Sequence, residues 1–123
     1  MLKVIYVGFG GFIGSILRYS IYVITNNIFG QAYPIATLLV NVIGCFLLGV
    51  VYQSINADLI ISDNMRLLIT IGLLGGFTTF SAFSIDALLL YQNNGKLMAV
   101  LYVILSVVLS MLAMLSGVWL IKS

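Results

Sequence analysis

The chain contains no histidine and no glutamate, and Cys45 is its sole cysteine. Internal disulfides, cysteine-rich metal sites and Cys–His catalysis are thereby excluded. Charge is scarce as well: 7% of the 123 residues are Asp, Glu, Lys or Arg, against about a quarter in a soluble domain. So little polar material cannot coat a water-facing surface. Acid–base catalysis would rest on three aspartates, and two of them, Asp58 and Asp63, fall in one connecting segment; an enzyme is not expected. The net charge of +2 is spread along the chain without a basic patch, which argues against a nucleic-acid partner.

What is abundant is apolar. Hydrophobic residues make up 63% of the chain and the mean hydropathy is +1.24, so the bilayer and its lipids are the natural surroundings. A membrane-spanning helix needs about 20 mostly apolar residues. The chain divides into four such pieces, residues 3–25, 35–54, 65–91 and 96–121, separated by polar or turn-forming segments. Lys3 precedes an apolar stretch as in a signal peptide. That stretch runs on to about Ile24, holds Arg18 and has no small-residue cleavage site behind it, so it reads as the first membrane helix. The expectation is an all-α integral membrane protein, one transmembrane domain over residues 1–123. Cys45, inside an apolar run, reads as a small buried hydrophobe.

Four spans place both ends and the middle connection on one side, with Lys3, Arg66 and Lys122. Lys96 lies on the other, with Arg18 toward that end of the first helix. A bias this small is compatible with one fixed topology and with insertion in both directions. Four helices fill their own centre with side chains, so a hydrated path points to an oligomer. Gly10, Gly11 and Gly14 in the first helix, with Gly44 and Gly49 in the second, let backbones approach closely, either between copies or within one.

The polar residues at membrane depth carry the functional signal, because such groups usually face an interior or a water-filled path. In the third helix Gly75-Gly76-Phe77-Thr78-Thr79-Phe80-Ser81 is poor helix material. A break there would free carbonyls, and irregular backbone at this depth is tolerated only when buried or lining a cavity. A continuous helix with a glycine packing face is the plain alternative. Phe80 and Phe83 share a helix face, as do Ser81 and Ser84. An aromatic edge is electropositive and meets an anion without a strong bond. Tyr102, Ser106 and Ser110 form a hydroxyl stripe of about 12 Å on the fourth helix. Thr37, Asn41 and Cys45 repeat that spacing on the second. Arg18 and Asp86 are the two intramembrane charges. A cation pore commonly uses acidic rings; hydroxyls, an amide and ring edges suit an anion better.

Three segments, Gly10-Gly11-Phe12-Ile13-Gly14-Ser15-Ile16-Leu17-Arg18-Tyr19, Thr37-Leu38-Leu39-Val40-Asn41-Val42-Ile43-Gly44 and Gly75-Gly76-Phe77-Thr78-Thr79-Phe80-Ser81-Ala82-Phe83-Ser84, resemble the Fluc/CrcB fluoride channels, in order and across essentially the whole chain. The resemblance implies four helices with the third broken, an antiparallel dual-topology homodimer with two pores, and passive fluoride export across the cell membrane that lowers fluoride toxicity. It implies that Phe80 and Phe83 line the pores and that Asn41 donates hydrogen bonds to the ion. Ser81, Ser84, Thr79 and Thr37 would lie nearby, Tyr102, Ser106 and Ser110 would form a polar track, and Arg18 would sit by a vestibule. It implies a structural sodium ion at the dimer axis, held by the carbonyls of Gly75 and Thr78. Three positions depart from the usual pattern: Ala36 for Gly, Asp86 for Glu, and Met114 where the track often continues with a hydroxyl. A small multidrug exporter of similar size would need an acid in the first helix, which has none. A purely structural membrane subunit would not require three polar stripes.

Overall fold

Stretches Leu2–Phe29, Ile35–Asn56, Asp63–Asn94 and Lys96–Lys122 are each helical, long enough and apolar enough to cross a bilayer. They are seen in a computed structural model that describes residues 1–60 and 62–123. The described residues contain no strand. The chain is a multi-pass, all-helical membrane protein. Large apolar side chains such as Phe12, Ile71, Leu101 and Leu115 point outward, as they do when the surroundings are lipid. The buried cluster is small: Phe83, Leu90, Ala99 and Tyr102.

Helix α1 is Leu2–Phe29 and α2 is Ile35–Asn56. The third span is composite. It runs as α3 (Asp63–Leu67), a π-helical stretch (Leu68–Leu74) and the short α4 (Gly75–Phe77), then two extended residues, then α5 (Phe80–Asn94). Helix α6 is Lys96–Lys122. Each span is longer than the apolar runs in the sequence, because backbone hydrogen bonding continues through polar ends such as Asn26-Asn27 and Gln92-Asn93-Asn94. Pro34 opens α2, where a missing N–H costs nothing, and its carbonyl accepts from the Leu38 N–H at 3.3 Å. A single residue, Gly95, joins α5 to α6 at φ +92°, a left-handed value that glycine adopts without strain.

The third span changes neighbours along its length. Its first part packs on α1, α5 packs on α6, and α2 lies mainly against α6. Glycine permits both tight seams. A Cβ on Gly76 would stand 2.8 Å from the Gly11 carbonyl, and one on Gly14 would stand 2.8 Å from the Phe77 nitrogen. On the other seam, a Cβ on Gly49 would strike the Met114 carbonyl. Gly10 meets Leu68 and Leu73, and Gly44 meets Thr78 and Phe77. The glycines that suggested contact between copies are therefore occupied within one chain, and they say nothing for an oligomer.

Thr78 (φ −79°, ψ 159°) and Thr79 (φ −153°, ψ 119°) are extended. The Gly75-Gly76 pair just before them is helical, with Gly75 at φ −64°, ψ −37°. Extended backbone thus falls on the β-branched residues that favour it, while Gly76 provides close approach to α1. The π-helical stretch had no forewarning in the sequence. Within it the bare Cα of Gly72 lies where a Cβ would come within 2.7 Å of the Val7 carbonyl.

Candidate functional site

Extended backbone at Thr79 leaves groups that a helix would have satisfied, and Asn41 of α2 takes them. Its Nδ2 donates to the Thr79 carbonyl at 3.0 Å, and its Oδ1 accepts from the Thr79 N–H at 2.8 Å. The carboxamide acts as a neighbouring β-strand would, with one donor and one acceptor against one residue. The Thr79 hydroxyl then starts α5 by accepting from the Ala82 N–H at 3.1 Å, an N-cap of the usual kind.

Among the carbonyls ahead of α5, those of Gly75 and Thr78 lose their helical donors to these bonds. Gly75 would accept from the Thr79 N–H, which Asn41 holds instead. Thr78 would accept from the Ala82 N–H, which the Thr79 hydroxyl holds; its carbonyl receives Nη1 of Arg18 at 3.4 Å. Gly75 is exposed, and a Cβ on it would find no atom nearer than the Thr70 carbonyl at 3.6 Å. Carbonyl oxygens are ligands for hard cations, so Gly75 and Thr78 fit as part of such a site. Among the described residues no group of His, Cys, Asp or Glu is arranged to hold a metal.

Beside Asn41 opens a groove of about 320 Å³, lined by Cys45, Thr79, Phe80, Phe83, Ser106 and Ser110 among others. The Phe80 and Phe83 rings are 5.2 Å apart and tilted by 45°, and Phe83 stands 5.5 Å from the Tyr102 ring. Phe83 is buried, whereas Phe80 is 78% exposed and forms the outer wall. The Ser106 and Tyr102 hydroxyl oxygens are buried without hydrogen-bond partners. An orphaned buried hydroxyl costs about 1–3 kcal/mol and calls for a water, ion or ligand. One Asn41 amide proton remains after the bond to Thr79, since a carboxamide carries two. The groove is apolar with a few donors and no fixed charge on its walls.

The remaining candidate residues lie elsewhere. Ser84 is exposed and donates to its own helix at the Phe80 carbonyl, 3.0 Å away. Ser81 lies 3.2 Å from the Thr79 hydroxyl and faces a second cavity, of about 460 Å³, with Arg18, Tyr22 and Asp86. Thr37, on the same stripe as Asn41, lies outside the groove; its hydroxyl donates to Asp86 and meets the Tyr22 hydroxyl at 2.7 Å. Arg18 and Asp86 do not pair; the sole ion pair among the described residues is Asp63–Arg66. The α6 stripe serves the groove only to Ser110, because α2 and α6 close on each other where Gly49 meets Met114. Tyr22 had no sequence signal: one tyrosine among seven, fifteen residues from its partner.

Comparison with known proteins bears on the whole chain. A curated relative from Rhizobium johnstonii, named fluoride-specific ion channel FluC, is 45% identical over 117 residues, covering 95% of this chain and 94% of the relative. Proteins of the same name from Chelativorans sp. and Ruminiclostridium cellulolyticum are 39% and 36% identical over 123 residues. These alignments cover 100% of this chain and 98% and 95% of the relatives. Residues 5–118 match the family described as CrcB-like protein, Camphor Resistance (CrcB). With a match of that extent and relatives at that identity, this chain belongs to the CrcB family.

Proposed function

We propose that this protein is a fluoride-selective channel that lets fluoride leave the cytoplasm passively across the cell membrane and so lowers its toxicity. The observation that carries the proposal is the groove, where the Phe80 and Phe83 rings stand beside Asn41 and the orphaned Ser106 hydroxyl. Fluoride is strongly hydrated, and a pore must replace that water yet release the ion. Amide and hydroxyl protons supply hydrogen bonds, and ring edges supply a weak electropositive contact. With no cation on its walls, the groove has nothing to trap the ion. The names of its relatives speak for the same ion.

The exposure of Phe80 supports a working unit of two copies, because a single chain leaves the outer wall of the groove open to lipid. We take that unit to be an antiparallel homodimer with two pores. The Gly75 and Thr78 carbonyls would hold a sodium ion at its axis, completed by the same pair from the second copy. When bound, that ion would supply structural cross-linking and a central positive charge that favours anions.

The test is ion efflux from liposomes holding the purified protein. Fluoride should leave rapidly and chloride should not. No fluoride flux, or equal chloride flux, removes the assignment.

A further inference from the structure

The second cavity holds both intramembrane charges, Arg18 and Asp86, on its walls. Opposite charges in a low-dielectric setting attract strongly, yet each is held by a neutral group. Arg18 rests on the Thr78 carbonyl and Asp86 accepts from Thr37. The direction of the relay follows from proton counting. A threonine hydroxyl has one proton and an ionised carboxylate has none. Thr37 gives its proton to Asp86, so Tyr22 donates to Thr37. Thr37 is 1% exposed and β-branched, so its rotamer is fixed by packing as well as by the Tyr22 bond. Tyr22 and Arg18 are one turn apart on α1, and Asp86 follows Ser81 on α5, so this relay ties α1, α2 and α5 together at the cavity.

We propose that Thr37 is a positioning residue that keeps Asp86 from pairing with Arg18, leaving the Arg18 charge free to attract the anion at the mouth of its path. This rests on the fluoride reading above. Thr37 touches no ion in this role and acts through the carboxylate it holds. Without the Thr37 hydroxyl, the Asp86 carboxylate is left between the neighbouring Tyr102 hydroxyl and the guanidinium that lines the same cavity, and the opposite charge favours the guanidinium. The pair would then neutralise the mouth.

Two readouts in the full-length protein separate this proposal from the channel assignment. The first is the side-chain 15N spectrum in lipid. Arg18 and Arg66 are the only arginines, so an Arg66→Lys background leaves one Nε signal. In that background Thr37→Val should move the Arg18 signal and slow its proton exchange, as an ion pair forms. Thr37→Ser should keep the original position, and Thr37→Val with Asp86→Asn should restore it. The second is fluoride efflux against fluoride concentration. Thr37→Val should raise the half-saturating concentration roughly fivefold, the scale of one partly exposed ion pair, and the added Asp86→Asn should reverse the rise. An Arg18 signal indifferent to Thr37→Val, or a transport defect that Asp86→Asn leaves in place, overturns the proposal. A protein that shows the spectral changes but conducts no fluoride keeps the Thr37 assignment and loses the channel reading.

Discussion

Asn41 differs from an aspartate by one group, and that group faces the Thr79 carbonyl. Asn41→Asp should place a carboxylate oxygen against the carbonyl while keeping the side chain's shape. The expected loss is about 1–3 kcal/mol of stability, the cost of an unpaired buried polar group, read by denaturation in detergent, together with loss of fluoride efflux. Unchanged stability would show that the amide does not hold the extended backbone. For the rings, Phe80→Ile and Phe83→Ile should each reduce efflux; normal transport in both would remove the aromatic pair from the mechanism. Asn41 and the phenylalanines were legible in the sequence because an amide or a paired aromatic at membrane depth demands an explanation. Tyr22 was not, since its partner is set by how α1 crosses α2. The Arg18–Thr78 contact was hidden for the same reason, spanning sixty residues.

At the scale of elements, two glycines make opposite predictions. Gly49→Ala would drive a methyl group into the Met114 carbonyl on α6. Overpacking of this kind costs about 1–3 kcal/mol, visible as a lower melting temperature in detergent. Gly75→Ala meets only the Thr70 carbonyl, at an ordinary contact distance of 3.6 Å, and at a helical φ of −64°, so the fold should keep its stability. A large loss from Gly75→Ala and none from Gly49→Ala would contradict the seams described here. The four spans were legible from apolar run length alone, because the bilayer fixes that length. Which residues of the third span would be extended was not. Poor helix formers occur at Gly75, Gly76, Thr78 and Thr79 alike, and the neighbouring α1 favours a helical Gly76 for close approach. The π-helical stretch depends on the same contact.

At the scale of the molecule, the open groove and outward Phe80 lead to a prediction about assembly. Light scattering of the purified protein in detergent should give the mass of two chains, and replacing sodium with a large organic cation should lower fluoride efflux. A functional monomer, or flux indifferent to sodium, would separate this protein from that scheme. An oligomer was suggested by the size of one four-helix chain and by the glycines, and its symmetry by the resemblance; the glycines turned out to be used within the chain. The pairing of α2 with α6 has a consequence for biosynthesis. The main neighbour of α2 is made only after the entire third span, and the partner of its Asn41 amide, Thr79, comes late in that span, so until then α2 waits in the bilayer with the amide unclaimed. That interval exposes a polar group to lipid, where membrane quality control could recognise it. Slow synthesis of the third span should therefore lower the yield of mature protein more than equal slowing within α1.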